Sequence, residues 1–460
     1  MIPSAGWRGH GRLGKIGVMG SGLETDLYEL TMAAGYWRAG MTGNATFELF
    51  VRHLPANRSY LIVAGLEQAL EYLERVSFDT TDRDWLRRRR QFKDVPAAFF
   101  DDYLAGFRFT GDVWAMAEGS LAFSNEPILR VTAPLPEAQI VETALLAIVS
   151  FQTSVASKAA RLVIAGSGRS IVEFGARRGH GLAAAIDAAR AAYIGGCTGT
   201  SFVEAARRFD IPAFGTMAHS WVQAFPSEVD AFLEFARTFA DSAVYLLDTY
   251  DTLSAARRLA ASGLRPPVVR LDSGDLVALS RGVRSVLDDA GLTDTRIFAS
   301  GDLDEYAIAR LIEARAPIDG FGVGTALTTL SDAPALPAVY KLVEIDRGGE
   351  HVGVVKLSPG KETWPGTKQV WRIVENGRLV KDVIAAADEA GPANAASVLT
   401  PVMARGLRIG PPETLAAIRD RCRRAIASLP EPLKQLDETA DEPVTISERL
   451  EARRSALGST

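Results

Sequence analysis

The sequence predicts an α/β protein: an irregular α/β barrel joined to a smaller α/β domain assembled from an N-terminal stretch and a later one. Three observations carry that prediction. From Ser170 onward, short apolar strand-like segments recur at intervals of roughly 20–35 residues, about the length of one strand–helix unit. Before Pro134 and after Pro334 the pattern of strands and helices is looser, and the later part is placed to return to the first. The chain has 460 residues, too many for one ordinary core.

In chain order, residues 1–20 are rich in Gly and Arg, lack an apolar core and read as a disordered tail, not a signal peptide. Glu24 to Trp37 reads as a helix capped by Thr25 or Asp26, with Leu27, Leu30 and Ala34 on one face. Ala45 to Val51 alternates like a strand. Leu66 to Arg75 is an amphipathic helix, and Phe107 to Phe123 more strand. Pro134 and Pro136 mark a break, and Glu137 to Arg161 then reads as one long helix.

Seven strand-like centres follow, near Val172, Tyr193, Ala213, Leu246, Val269, Phe298 and Phe321. Repeated strand–helix units imply parallel strands with crossover helices. Seven fall short of a regular eightfold barrel, and an open doubly wound sheet is the alternative. After Pro334, Tyr340–Ile345 and Gly353–Leu357 read as paired strands, with Gln369–Ile373 and Gly377–Val383 extending that sheet. Pro411–Ile426 and Ser447–Leu457 read as helices. The expected units are therefore 21–133 with 336–405, a barrel over 134–335, and a helical segment over 406–460.

Lys and Arg number 51 against 56 Asp and Glu, a net charge of −5, which argues against a nucleic-acid partner. The one dense basic run, Arg87–Arg90, reads as a solvated helix face. Two distant cysteines, Cys197 and Cys422, allow no disulfide framework and fit a reducing cytoplasm. No run approaches the roughly 18 apolar residues of a membrane span.

Candidate chemistry gathers at the strand ends, where both architectures place active sites. Ile211–Trp221 breaks at Gly215 and then presents Thr216, His219 and Ser220. Val268–Leu276 ends in Asp272-Ser273-Gly274-Asp275. Those aspartates suit Mg²⁺ or ribose hydroxyls; equally, they are what helix starts prefer. Ile297–Asp304 repeats the pattern with Ser300-Gly301-Asp302. Gly320-Phe-Gly322-Val-Gly324-Thr325 is a Gly-rich turn suited to a phosphate. Arg177 and Arg178 offer planar donors for a carboxylate or phosphate. Lys356, Lys361 and Lys368 add cations in a loop. Together these strand ends read as a sugar-phosphate site.

From Thr25 to about Arg372 the chain resembles the nicotinate phosphoribosyltransferases. The resemblance rests on six stretches in order: Thr25–Met32, Phe47–Arg52, Glu173–Arg178, Gly215–Ser220, Arg270–Asp275 and Gly322–Thr325. It implies a two-domain subunit, a homodimer with sites at the interface, and a reaction between nicotinate and 5-phosphoribosyl 1-pyrophosphate coupled to ATP hydrolysis. It also implies that His219 is phosphorylated by ATP. Tyr28, Thr216 and Arg270 match nicotinate contacts, Tyr28 reaching in from the other subunit; Arg177 is a further candidate. Thr325 and its glycines match the phosphoribosyl pocket. No protein nucleophile is needed at the ribose carbon, because Mg²⁺ and cations stabilise the leaving pyrophosphate. Asp272 and Glu173 are the candidates to orient His219. The nearest rival is a nicotinamide phosphoribosyltransferase. A barrel aldolase or a non-catalytic nucleotide binder are more distant ones.

Overall fold

The structure, a computed structural model, describes residues 21–437 and 440–458; the expected tail over 1–20 lies outside them. Three sheets of four or more strands organise these residues. The first has seven strands, in the order Glu350–Gly353, Ala338–Arg347, Asn44–Val51, Pro127–Pro134, Asp112–Met116, Leu399–Ala404 and Leu407–Arg408. Its pairs are antiparallel. The second has six parallel strands, in the order Gly199–Thr200, Ser170–Glu173, Gly320–Val323, Arg296–Ala299, Val268–Leu271 and Val244–Leu246. It is a curled half-barrel with two free edges rather than a closed barrel.

One of the seven expected barrel strands is helical. Tyr193 lies in the helix Leu182–Ile194, whose alanines favour helix far more than sheet. The strand beside it is the later Gly199–Thr200. Ala213 makes only an isolated bridge to Thr200. Gln369–Ile373 and Gly377–Val383 do not extend the first sheet. They fall within Lys368–Glu375 and Arg378–Ala386, the centre of a third sheet flanked by Ala395–Ser397 and Val444–Ile446. The segment expected to be helical beyond 406 therefore also supplies a strand to that sheet, between its helices Leu415–Ser428 and Glu448–Gly458.

The expected long helix is two helices, Leu135–Ile140 and Glu142–Ala165, broken at Val141. The longer one runs through both hydrophobic clusters. Leu145 and Val149 pack with the antiparallel sheet, and Val155, Ala159 and Leu162 with the half-barrel. Two of its buried hydroxyls are spent on neighbouring backbone. Ser157 accepts from the Ile62 amide at 2.9 Å, and Thr153 from the Ala64 amide at 3.2 Å. No described helix is long and apolar enough to cross a membrane. In the basic run, Arg87 pairs with Asp101 at 2.5 Å and Arg89 lies over the Trp85 ring.

One buried ion pair ties the first sheet to the third. Lys368 Nζ lies 2.8 Å from Glu48 Oε2, and both side chains are almost wholly buried. Lys368 Nζ also donates to the Trp364 and Gly366 carbonyls, and its amide donates to Glu48 Oε1. Removing one partner strands a buried charge, so Lys368→Met should cost about 3–5 kcal/mol. The Glu48→Met/Lys368→Met double variant should recover part of that loss. Chemical denaturation of the three proteins measures both.

Candidate active site

Alternation along the parallel strands decides what faces the hollow of the half-barrel. Val269, Leu271, Ile297, Ala299, Phe321 and Val323 are fully buried on the helix side. The residues between them, Arg270, Phe298 and Gly322, face the concave side. Arg270 stands beside Phe298 and Leu246 in the parallel register. Gly322 has to be glycine, since a Cβ there would lie 2.6 Å from the Phe174 ring. That space lets Phe174 sit in the hollow, with the Arg270 guanidinium 5.6 Å from its centroid, a cation–π distance.

The Arg270 guanidinium gathers three strand ends. Its Nε donates to Ser300 Oγ at 2.8 Å, one terminal nitrogen to Thr216 Oγ1 at 2.7 Å, and the other to Asp272 Oδ1 at 2.6 Å. Ser300 closes the ring by donating to the same Asp272 oxygen at 2.5 Å. Burial pushes the Asp272 carboxyl up, but Ser300, Arg270 and His219 outweigh it and hold the group below the usual carboxylate range. Asp272 is therefore an anion at neutral pH.

His219 opens the short helix His219–Gln223, with its ring about 42% exposed. Its Nδ1 lies 3.2 Å from Thr249 Oγ1, and its Nε2 lies 3.9 Å from Asp272 Oδ2. Of the two carboxylates expected to orient the ring, Asp272 is thus the near one. Glu173 is wholly buried and engaged elsewhere, accepting from the Gly175 amide, from Thr200 Oγ1 at 2.5 Å and from Thr328 Oγ1 at 3.2 Å. It fixes the turn that carries Phe174 and Arg177.

Two residues that the sequence reading passed over complete the cluster. Asp248 and Thr249 end the strand Val244–Leu246. Asp248 Oδ2 accepts from the Asp272 amide at 3.2 Å and from Ser273 Oγ at 2.5 Å. Its Oδ1 is buried and has no hydrogen-bond partner among the described residues. The available signal was the one used for its neighbours: an apolar run that stops at an acid.

The remaining expected residues divide. Gly301 has φ +94°, and a Cβ there would lie 1.9 Å from the Asp272 carbonyl oxygen, so glycine is what lets the two strand ends close. Asp302 follows it, exposed, with φ +46°. Asp275 Oδ1 accepts from the Val277 and Ala278 amides at 3.0 Å each, the helix-cap role that the sequence left open. Gly324 and Thr325 stand at the start of the helix Thr325–Thr328. Arg177 is exposed on the turn Ala176–Arg178, with no carboxylate paired to it among the described residues. Ser220 is exposed beside His219. No contact among the described residues brings Tyr28 to these strand ends; burial, with the charges of Glu142 and Glu29 near it, pushes its phenol up. A cavity of about 140 Å³, walled by Phe174, Phe214, Thr216 and Phe298, lies in the hollow beneath the cluster.

Comparison with known proteins agrees with this geometry. The model of the nicotinate phosphoribosyltransferase N-terminal domain matches residues 23–150, and that of the nicotinate phosphoribosyltransferase family matches residues 169–363. A nicotinate phosphoribosyltransferase of Mycobacterium tuberculosis is 48% identical over 437 residues, covering 93% of this chain and 92% of that protein. The one from Bacillus subtilis is 48% identical over 379 residues, covering 80% and 76%. The crystal structure of human nicotinic acid phosphoribosyltransferase superposes with a TM-score of 0.82 at 29% identity, covering 94% of this chain and 99% of that one. This chain belongs to the nicotinate phosphoribosyltransferase family.

Proposed function

We infer that the chain joins nicotinate to 5-phosphoribosyl 1-pyrophosphate, giving nicotinate mononucleotide and pyrophosphate, and couples this to ATP hydrolysis through a phosphate carried on His219. The nicotinamide alternative loses its support, because the relatives are named for nicotinate.

The observation that carries the reading is the Arg270 fork. A guanidinium has five N–H donors, and three of them hold Ser300, Thr216 and Asp272. The two left over, one on each terminal nitrogen, can serve the two oxygens of a carboxylate. A neutral amide in the same place would offer one carbonyl acceptor only, losing the second bond of the pair and the pairing of opposite charges. With the acid end fixed there, the ring nitrogen attacks the ribose carbon as the bond to pyrophosphate breaks. Positioning supplies most of the acceleration.

For the coupling step, Nε2 of His219 attacks the γ-phosphorus of ATP and ADP leaves. In the tautomer with a proton on Nδ1, Thr249 accepts from it and the Nε2 lone pair is free, the usual logic of an oriented nucleophile. Water later takes the phosphoryl group from the histidine, which releases phosphate. Asp248 and Asp272 are the residues that would hold Mg²⁺: Asp248 Oδ1 is buried and unpartnered among the described residues, and its other oxygen accepts from the Asp272 amide, which makes the two residues neighbours. When bound, the metal would neutralise pyrophosphate charge. Asp275, the other expected ligand, already spends one oxygen on its helix cap.

The Gly301-Asp302 and Gly324-Thr325 turns are assigned to the phosphoribosyl group and Arg177 to anion contact. Tyr28 is 48% exposed, which supports its reaching the site of a second copy in a homodimer. The buried thiols Cys197 and Cys422 suit a cytoplasmic setting.

Incubation with Mg-ATP followed by mass mapping should find an acid-labile phosphate on His219, discharged by nicotinate with phosphoribosyl pyrophosphate. His219→Ala should lose ATP stimulation yet keep slow, ATP-independent synthesis; unchanged stimulation would remove His219 from the coupling step. Arg270→Ala should raise the nicotinate KM about tenfold to a hundredfold, the worth of one or two charge-assisted hydrogen bonds. Arg270→Lys should restore little, because a point charge cannot replace the fork. Steady-state kinetics in each substrate decides the matter: equal losses for both substrates would mean that Arg270 does not bind nicotinate.

A further inference from the structure

The two turns assigned to the phosphoribosyl group sit on neighbouring strands joined by a short seam. Gly301-Asp302 follows the strand Arg296–Ala299, and Gly324-Thr325 follows Gly320–Val323. Two residue pairs connect these strands, Phe298 with Gly320 and Ala299 with Phe321. Each strand makes four pairs with its neighbour on the other side. Asp319 fastens the amino end of the seam. Its amide donates to the Ile297 carbonyl at 2.7 Å, and its Oδ2 accepts from the Ile297 amide at 2.7 Å. The ladder stops at Ala299 and Phe321, short of both turns, so the sheet alone does not fix the spacing between them.

A lysine spans that gap from the helix side. Lys158 lies on the long helix Glu142–Ala165 and is 1% exposed. Its Nζ lies 2.5 Å from Glu305 Oε2 and 2.9 Å from Asp332 Oδ1. Glu305 opens the helix Glu305–Glu313, directly after Asp304, whose carboxylate caps that helix by accepting from the Ala307 amide at 2.7 Å. Holding Glu305 therefore holds the end of the Gly301-Asp302 turn. Asp332 sits in the tight turn after the helix Thr325–Thr328, closed by the Ala333 amide on the Leu330 carbonyl at 2.8 Å. An ammonium carries three donors on one atom, so a single lysine can hold two carboxylates at a set distance.

The neighbouring cations act differently. Arg161 Nε donates to Glu305 Oε1 at 3.0 Å, and its other bonds go to Tyr306 Oη and the Leu436 carbonyl. Arg58 donates to Asp332 Oδ2 at 2.6 Å and stands 3.9 Å from Glu305. Each carboxylate thus has a second cation of its own. For neutralising charge Lys158 is the spare member, and its distinct contribution is the tie.

We propose that Lys158 is a positioning residue for phosphoribosyl pyrophosphate: by holding Glu305 and Asp332 together it sets the spacing of the Gly301-Asp302 and Gly324-Thr325 turns. The inference rests on the reading that these turns hold the phosphoribosyl group. A phosphorylated sugar that touches two turns binds well where their backbone N–H groups stand at the matching separation. Ser300 and Asp272, which the Arg270 fork grips, lie on one side of the seam, and the Ser300 amide donates to the Leu271 carbonyl at 2.9 Å. Opening the seam moves the Gly324 turn relative to them, so the loss falls on phosphoribosyl pyrophosphate more than on nicotinate.

The test is steady-state kinetics of Lys158→Met in each substrate, with the other saturating. Arg161 and Arg58 remain, so neither carboxylate is left without a cation. The KM for phosphoribosyl pyrophosphate should rise about tenfold, part of the roughly hundredfold that a shift of about 1 Å can cost, with the nicotinate KM unchanged. Asp332→Asn should raise the same KM, and adding Lys158→Met to it should raise it little further, since the two share one tie. The Asp332 side chain is 31% exposed, so its variant carries the test where Lys158→Met fails to fold. Arg161→Met is the control. It takes a buried cation from Glu305 but leaves the tie, and should lower the denaturation midpoint without changing that KM. Equal rises in the two substrates' KM values for Lys158→Met, or an equal rise in Arg161→Met, would overturn the inference. Thr325→Ala separates it from the reading beneath it. If Thr325→Ala raises the phosphoribosyl pyrophosphate KM while Lys158→Met and Asp332→Asn do not, the turns bind this substrate and the inference fails. If Thr325→Ala leaves that KM unchanged, the phosphoribosyl reading fails and takes the inference with it.

Discussion

The strand ends are held by a succession of close fits that starts at a missing side chain. Gly322 leaves room for the Phe174 ring. Phe174 underlies the Arg270 guanidinium. Arg270 then holds Thr216, Ser300 and Asp272 at once, and Asp272 faces His219. None of these contacts is local in sequence except that between Arg270 and Asp272. A planar fork is the side chain that can join three loops while keeping donors free, and in the hollow of a half-barrel its bonds are worth more than at the surface. Parallel register makes the arrangement possible, since it brings the carboxyl ends of neighbouring strands to one edge in a fixed stagger.

A second charged network anchors the opposite side of the same site. Lys158, on the long helix, lies 2.5 Å from Glu305 and 2.9 Å from Asp332. Arg161 joins Glu305 at 3.0 Å, and Arg58 joins Asp332 at 2.6 Å. Asp332 follows the turn and helix that begin at Gly324, so the Gly-rich turn is tied to the helix that crosses both cores. The cations hold the Asp332 carboxyl down to about 2 against the effect of its burial. Such a network adds little net stability over a well-packed apolar one, but losing a single member strands the others. Its effect is to fix the turn's position.

Much of this was legible in the sequence because the same local code recurs. An apolar run that stops at Gly-Asp or Gly-x-Gly before a helix gave the ends at Asp272, Gly301 and Gly322 their correct places. The code failed where a residue's role is set by something distant. Asp275 and Asp272 look alike in sequence, yet one caps its own helix while the other faces His219 across the hollow. Asp272 and Glu173 could not be ranked as partners of His219, and Thr249 was missed, since that depends on which way each strand residue points. The helix around Tyr193 was misread because a short apolar run of Ala and Ile fits either periodicity. The third sheet was misplaced because it meets the first largely through side-chain bonds, Lys368 to Glu48 and Gln369 to Leu399 among them, and such pairing between distant residues leaves no periodic trace.

The break at Val141 shows how a local irregularity becomes a docking site. A continuous helix from Leu135 to Ala165 would consume its own carbonyls. Ending the first piece at Ile140 frees several of them. Thr25 Oγ1 donates to the Ile140 carbonyl at 2.7 Å, and Tyr340 Oη to that of Ala138 at 2.9 Å. The first bond seats the helix that carries Tyr28; the second seats the strand that carries Lys341. The break also starts a new helix at Glu142, whose carboxyl accepts from Gln139 at 2.8 Å. Restoring helix continuity would remove the seat of the Tyr28 helix.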